Sequence, residues 1–228
     1  MMIRTAFLVC LGLLALHTTN VAAAASASAA AIDAGVIIGA PNNASQQCDE
    51  ADFGAVQIRI GLFATLAACY RDVEMDGKFG TAFVTVPREF EGRTISRSEF
   101  DTFRADVKES EDQFRRRSRE ARTAGESNKS GGSQPIPLGV FDYTSERVGY
   151  AYAYAVAEPN DHGGYTSQTM MRTESFVYVN DRVILLMIIA PVDNGSGASV
   201  AFDLSEQWAK AIISASSAKV AAKATQLN

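Results

Sequence analysis

Four stretches of the chain between residues 138 and 190 are rich in β-forming residues, and short connections separate them. They are Leu138–Thr144, Val148–Ala157, Gln168–Val179 and Arg182–Ala190. Strands that follow one another through short connections pair antiparallel, because a parallel crossover needs about a dozen residues or more. The last stretch is an almost unbroken apolar run, which is typical of a central buried strand. The chain is therefore predicted to fold around an antiparallel sheet.

A β-hairpin is predicted earlier in the chain, where Asp76-Gly77 separates Tyr70–Met75 from Phe79–Val86. Asp-Gly favours a two-residue turn because both central positions need a positive φ. This hairpin brings the predicted sheet to about six strands.

Residues 50–69 allow two interpretations. A helix is indicated by four residues at helical spacing, namely Ile58, Leu62, Leu66 and Cys69. The segment Ala55–Ile60 also alternates as a strand does, so the pattern does not choose between the two.

A long helix is predicted over residues 97–122. Ser96 and Glu99 form a capping box, and Ile95 and Phe100 form a hydrophobic staple across it. The apolar face of the helix continues through Phe103, Val107 and Phe114. A second helix near the C-terminus is predicted from the spacing of Leu204, Trp208 and Ile212.

These elements predict an α+β domain, in which a long central helix and a C-terminal helix are layered on the antiparallel sheet as a sandwich. The domain is predicted over residues 48–216. A flexible leader, rich in Ala, Ser and Asn, is predicted at residues 25–47, and a flexible tail at residues 217–228.

The segment FGTAFVTVPREFEGRTISRSEF leads from a strand into the long helix, and ESFVYVNDRVILLMIIAPV followed by WAKAIISA gives a closing hairpin and helix. Together they resemble the α/β/α sandwich of the PsbP and Mog1-like superfamily, whose members include small exported bacterial domains. The resemblance covers roughly residues 70–216 as a pattern of elements. It implies the sandwich fold but no catalytic residues, because the exported members share no catalytic site.

Residues 1–24 have the layout of a signal peptide. Arg4 precedes an apolar core, Ala6–Leu16, which is too short to span a bilayer, and Ala-x-Ala cleavage sites recur between Ala24 and Ala31. The protein is therefore predicted to be periplasmic or secreted, with no transmembrane segment after cleavage.

Cleavage leaves two cysteines, Cys48 and Cys69. Because exported proteins meet oxidising conditions, a disulfide between them is predicted, against the alternative of two buried thiols.

The chain carries 21 basic and 26 acidic residues, a net charge of −5. This balance argues against a nucleic-acid partner and against general attraction to anionic membranes. His162 is the only histidine after cleavage, and motifs for phosphate binding, zinc proteases and serine hydrolases are absent from the sequence. No catalytic residue, metal site or cofactor is predicted.

Two polar segments have both a ligand-binding and a structural interpretation. Residues 72–77 begin like a calcium loop, but Phe83 stands where the final Glu is needed, so the hairpin turn is preferred. The loop 158–165 places His162 beside carboxylates and glycines, but its Pro, Asn, Asp and Gly are turn-forming residues. We therefore expect His162 not to be catalytic.

A basic run on the long helix also has two interpretations, and it consists of Arg115, Arg116, Arg117, Arg119 and Arg122. It would suit an anionic polymer or lipid head group. The structural interpretation is that an acidic first half and a basic second half complement the helix dipole. Ion pairs four residues apart are then expected for Glu111–Arg115 and Asp112–Arg116.

The candidate ligand-binding residues are Tyr150, Tyr152 and Tyr154. They alternate strictly with alanines, so one strand face carries tyrosines and the other alanines. Tyrosine suits a surface that is apolar along the ring and wet at the hydroxyl. We expect the tyrosines to border a groove with at least two hydroxyls at solvent, and the helix at 97–122 to pack on the alanine side. The alternative is that the tyrosines belong to the core.

The sequence thus favours an exported, non-enzymatic accessory or binding domain, whose partner is an unknown peptide, protein or small ligand. A small secreted hydrolase, working through carboxylates or His162, is the first alternative. An envelope protein that docks through an aromatic face is the second.

Overall fold

The structure is a computed structural model that describes residues 35–42, 44–123, 135–159, 164–193 and 195–226. The predicted signal peptide and the start of the leader lie outside the described residues, as do His162 and most of the loop between the long helix and the following strand.

The described residues form seven strands, three α-helices and one 3₁₀ turn. In chain order they are β1 (Ala44–Gln47), α1 (Glu50–Ile60), β2 (Ala64–Met75), β3 (Lys78–Pro87), the 3₁₀ turn (Arg88–Phe90), α2 (Arg97–Thr123), β4 (Ile136–Tyr143), β5 (Arg147–Pro159), β6 (Tyr165–Val179), β7 (Arg182–Pro191) and α3 (Gly195–Gln226). The strands form one antiparallel sheet in the order β1-β2-β3-β7-β6-β5-β4. The predicted α+β class and antiparallel sheet are confirmed.

The sheet has seven strands where about six were predicted. The additional strand, β1, is a short edge strand that pairs with β2. Its sequence, Ala-Ser-Gln-Gln, has no apolar alternation, so the periodicity on which strand prediction depends is missing.

Two tight turns form the β2–β3 hairpin and the β6–β7 hairpin. The predicted turn between β2 and β3 has positive φ at Asp76 (52°) and Gly77 (74°). The turn between β6 and β7 does the same at Asn180 (48°) and Asp181 (59°). Both are of the kind whose twist matches that of paired strands. The Asp-Gly prediction is therefore confirmed, and β7 lies between β3 and β6.

One face of the sheet is closed by α3. Leu204, Trp208 and Ile212 are buried against alternate residues of β7, as their helical spacing predicts. The indole Nε1 of Trp208 donates to the carbonyl of Gly39 at 2.7 Å, so the ring is buried without an unpaired donor.

The other face is covered by two helices, with α1 on β2 and α2 on β4 and β5. The capping box of α2 is present: the Ser96 N–H donates to Glu99 Oε2 at 2.7 Å, and the Glu99 N–H donates to Ser96 Oγ at 3.2 Å. Ile95 and Phe100 are buried together beside it, as the staple requires. The predicted helix at 97–122 is confirmed.

Residues 50–60 form a helix, which resolves the two interpretations of this segment. The face that packs on the sheet is different from the one predicted, because it carries Phe53, Val56 and Ile60. Ile58 and Leu62 are exposed instead. The predicted pattern failed because Leu66 and Cys69 belong to β2, where their burial follows the strand.

Some residues of the predicted leader contact the domain, and some of the predicted tail continue its last helix. Within the leader, Val36 is buried and the Ile37 N–H donates to Ser216 Oγ at 2.8 Å. Helix α3 continues past residue 216 to Gln226, in the segment predicted to be a tail. Its last turns are rich in alanine, the residue with the highest helix propensity.

The predicted disulfide between Cys48 and Cys69 is confirmed, with their Cα atoms 5.3 Å apart. It joins Cys48, two residues before α1, to the middle of β2. Asp49, next to Cys48, caps α1 by accepting from the Asp52 N–H at 2.8 Å. The start of α1 is therefore fixed to the sheet.

Candidate functional site

The three predicted ligand-binding tyrosines lie on β5, and they face α2 rather than solvent alone. Tyr150 belongs to the buried cluster beneath α2, and Tyr152 packs against it. The alanine face is on the opposite side, because Ala153 pairs with Met171, which belongs to the core beneath α3. The prediction that α2 packs on the alanine side is wrong.

The reason for this orientation lies in what the tyrosine hydroxyls contact. The prediction assumed that buried hydroxyls would stay unpaired, which is costly. Instead, the Tyr150 hydroxyl donates to Glu174 Oε2 at 2.5 Å, across the β5–β6 pair in which the two residues are direct partners. Tyr150 is buried with its hydroxyl on a carboxylate, so it is not one of the two or more tyrosines predicted to have a hydroxyl at solvent.

The hydroxyl of Tyr152 donates to Glu111 Oε1, which links β5 to α2. The side chain of Phe114, one turn further along α2, lies against the Tyr152 ring with the centroids 6.0 Å apart. On the sheet, Arg172 is the cross-strand partner of Tyr152, and its guanidinium carbon lies over the Tyr152 ring, 5.6 Å from the centroid. Tyr152 is thus held between a carboxylate, a phenyl ring and a guanidinium.

Two glutamates are therefore brought into one cluster with the tyrosines. Glu111 and Glu174 are only 8% and 7% exposed. Glu174 Oε1 pairs with Arg172 Nη2 at 2.5 Å, so both of its oxygens have partners. Glu111 Oε2 is buried and has no hydrogen-bond partner among the described residues. We call Glu111, Tyr150, Tyr152, Arg172 and Glu174 the tyrosine–glutamate cluster.

The electrostatics of the cluster follow from this burial. Burial raises the pKa of Glu111, the nearby charge of Glu174 raises it further, and the Tyr152 hydrogen bond opposes both. Burial, reinforced by the adjacent carboxylates, raises the pKa of Tyr150 and of Tyr152. Both hydroxyls therefore stay protonated at neutral pH and act as donors to the carboxylates.

Sequence reasoning missed Glu111 as a site residue, although a signal was present. The apolar face of α2 runs through Phe103, Val107 and Phe114, with a gap of seven residues before the last. Glu111 fills that gap, four residues after Val107 and three before Phe114, so it lies on the same helix face. A charged residue at an apolar position of an amphipathic helix indicates a buried polar contact.

The predicted ion pairs of the basic run are replaced by other contacts. Glu111 contacts Tyr152 instead of Arg115, and Asp112 pairs with Lys108 at 2.7 Å instead of Arg116. Arg115, Arg116, Arg117 and Arg119 are exposed on α2.

Beyond the cluster, the β5–β6 hairpin continues as a two-stranded ribbon. The pairing of β4 with β5 ends at Ala153, and that of β7 with β6 ends at Met170, whereas β5 and β6 stay paired as far as Pro159 and Tyr165. The face that continues from the cluster has half-buried side chains. We call it the tyrosine surface, and it consists of Tyr152, Tyr154 and Val156 on β5 with Gln168, Met170 and Arg172 on β6.

The acidic residues that begin like a calcium loop belong to a hairpin. Asp72, Glu74 and Asp76 lie in the β2–β3 hairpin, where Asp76 takes the first turn position. Among the described residues, no group of three or more His, Cys, Asp or Glu side chains is arranged to hold a metal ion. His162 lies outside the described residues, and its non-catalytic role stays a prediction.

No protein-family model, curated protein or solved structure matches this chain. In the part of the chain that the structure describes, no helix is long and apolar enough to cross a membrane. The Cys48–Cys69 disulfide is compatible with a secreted protein.

Proposed function

We propose that the protein is an exported, non-enzymatic binding domain, and that a peptide, a protein segment or a small ligand contacts the tyrosine surface. The observation that carries this proposal is the half-burial of Tyr152 and Tyr154 on a ribbon that extends past the neighbouring strands. Tyrosine rings give a large contact area with little loss of side-chain entropy, and their hydroxyls suit a surface that is wet in the free protein.

The cluster beneath this surface gives it a fixed shape. Tyr152 is held by Glu111 from α2 and by the ring of Phe114, and Arg172 is held by Glu174. A ligand would therefore meet side chains that are already ordered, which lowers the entropic cost of binding. The guanidinium of Arg172 carries five N–H donors and lies at the edge of the surface, where it suits a carbonyl or carboxylate of the ligand.

The proposal is tested by capturing partners with the exported protein from its own envelope fraction and identifying bound proteins and small molecules by mass spectrometry. Tyr154→Ala combined with Val156→Ala removes apolar area from the tyrosine surface. Ala155→Ser combined with Ala157→Ser is the matched control on the opposite face of the same ribbon. A partner retained by the control and lost by the first pair supports the proposal, and a partner retained equally by both contradicts it.

The same experiment separates the ligand-binding role from that of an envelope protein that docks through an aromatic face. A captured protein that survives extensive washing and depends on Tyr154 favours the docking role. A small molecule with the same dependence favours the ligand-binding role.

A small secreted hydrolase is the second candidate, because Glu111 and Glu174 lie in one cluster and differ in environment. Glu111 has a raised pKa, as a general acid needs, while Glu174 is paired with Arg172. Glycosides are the substrates on which two carboxylates act without histidine. Hydrolysis of a panel of chromogenic glycosides that is abolished by Glu111→Gln, with the fold intact, would replace the binding proposal by this one.

A further inference from the structure

Three large apolar side chains are exposed together where α1 ends. Ile58 is 81% exposed, Leu62 86% and Phe63 75%. Ile58 and Leu62 are four residues apart, and Phe63 follows in the turn that leads into β2. We call these three residues the α1 corner. Exposed apolar residues are common singly, but a contiguous group marks a surface that contacts something else.

The α1 corner is not required by the core. The face of α1 that packs on the sheet is already supplied by Phe53, Val56 and Ile60. Ile58 points away from this face, and Leu62 and Phe63 lie after the helix has ended. Polar residues at these positions would leave the fold unchanged, so their apolar character needs another explanation.

The backbone that carries the corner is held by hydrogen bonds on both sides. The Phe63 N–H donates to the carbonyl of Ile60 at 2.8 Å, and the Phe63 carbonyl accepts from the Arg88 N–H at 2.9 Å. The Arg88 guanidinium donates to the Gly61 carbonyl at 2.7 Å. Leu62 and Phe63 are thus presented on an ordered turn, which avoids part of the entropic cost of binding.

The size of the patch indicates what it contacts. Three such side chains offer apolar area on the order of 300 Å², well short of the roughly 800 Å² that each partner contributes to a standard protein interface. A small patch on a turn is instead sufficient for insertion into the boundary between lipid headgroups and acyl chains, which needs a few apolar side chains and no complementary surface.

Arg59, between these residues in sequence, is exposed and forms no ion pair with any described residue. A long side chain with an apolar stem and a cationic head suits the headgroup level of a bilayer. Phosphate groups are present there in zwitterionic and anionic lipids alike, so the acidic net charge of the protein does not prevent this contact.

We propose that the α1 corner binds the surface of a phospholipid bilayer, with Leu62 and Phe63 inserted and Arg59 at the headgroup phosphates. This inference does not depend on the proposed ligand-binding role. The strand register places the two surfaces at opposite ends of the sheet: β2 begins beside Pro87 at the corner, whereas Pro159 and Tyr165 end the ribbon beyond Pro191. A protein docked through the corner would direct its tyrosine surface away from the bilayer.

The test is co-sedimentation of the exported protein with vesicles of phosphatidylcholine alone and of equal parts phosphatidylcholine and phosphatidylglycerol. Leu62→Ser combined with Phe63→Ser removes the inserted side chains. Phe79→Ser is the matched control, because Phe79 is also exposed, at 62%, and lies at the other end of the sheet. An unchanged thermal midpoint establishes that each variant is folded.

We expect the double variant to lower the partition constant by about 100-fold on both vesicles, and the control to leave it unchanged. Phe63→Trp should show a blue shift on vesicle addition, above a constant signal from the buried Trp208. Failure of the natural protein to bind either vesicle would overturn the proposal, as would equal binding by the double variant. Self-association that is lost in the double variant, without vesicle binding, would assign the corner to a second copy of the chain.

Discussion

The two faces of the sheet are closed by different chemistry. Beneath α3 lies the large apolar core, with Trp208 between leader, sheet and helix, and the polar groups there are fully enclosed: Arg147 pairs with Asp142, and Ser175 bonds to Ser205 of the helix. Beneath α2, an aromatic cluster lies near the start of the helix, and tyrosines hydrogen-bonded to glutamates lie further along it. The polar groups beneath α3 are buried within the core, whereas the polar cluster beneath α2 continues into the half-buried tyrosine surface. Function is therefore to be sought on the α2 side.

The largest effect is expected on the face that α3 closes. Trp208→Ala should lower the free energy of unfolding by about 3–5 kcal/mol, because it leaves a cavity and removes the contact with Gly39. Chemical denaturation measures this. Val220→Ala, an exposed position on the same helix, is the control and should change stability by less than about 0.5 kcal/mol. A loss below about 1 kcal/mol for Trp208→Ala would mean that α3 is not packed as described.

The disulfide should contribute the next largest effect, on the side of the sheet that α1 covers. Closing a loop with a sequence separation of 21 residues stabilises a protein by about 3 kcal/mol. Cys48→Ser combined with Cys69→Ser should lower the free energy of unfolding by that amount, and reductant should have no further effect on the variant. Thiol labelling of the unreduced natural protein should be negative, so two labelled cysteines would contradict the bond.

The buried carboxyl of Glu111, beneath α2, should make the free energy of unfolding depend on pH. Because the pKa of Glu111 is raised in the folded protein, the unfolded chain loses this proton first as the pH rises. The stabilisation is complete below the unfolded pKa of the glutamate and is lost as the pH rises through the folded pKa. In the variant Glu111→Gln, this loss of stability with rising pH should be absent.

The control for that profile is Glu120→Gln, at an exposed position of the same helix. Denaturation midpoints are compared over the acid to neutral range at constant salt. If the natural protein and Glu111→Gln differ by the same amount at every pH, Glu111 is not buried as a titrating group.

The smallest effect is expected at the start of α2. Ser96→Ala removes the side-chain acceptor for the Glu99 N–H and should cost about 1 kcal/mol. Ser98→Ala, at the second residue of the helix and exposed, is the matched control. Equal denaturation midpoints for the two variants would argue against the capping box.

The parts of the fold that follow from local patterns were predictable. The Ser96–Glu99 capping box, the Asp76-Gly77 turn and the helical spacing of Leu204, Trp208 and Ile212 each depend on neighbours in sequence, and each is confirmed. The apolar run of β7 likewise indicated a central strand.

The remaining parts depend on contacts between distant residues. β1 has no pattern of its own and is formed by pairing with β2. The side of the tyrosine strand was predicted wrongly because its hydroxyl partners, Glu174 and Glu111, lie 24 and 41 residues away in sequence. No local pattern showed that two carboxylates would be buried there, although the polar residue in the apolar face of α2 was a sign of one.

The burial of Glu111 against the tyrosines, between α2 and the sheet, is the contact on which the tyrosine–glutamate cluster depends. It is tested most directly by NMR titration of the glutamate side-chain carboxyl carbons, with the Glu111 signal assigned as the one missing in Glu111→Gln. We expect this carboxyl to titrate at a pH above that of an ordinary glutamate, because burial raises its pKa. A titration midpoint at or below the ordinary value would show that Glu111 is solvated and that the tyrosine–glutamate cluster does not form.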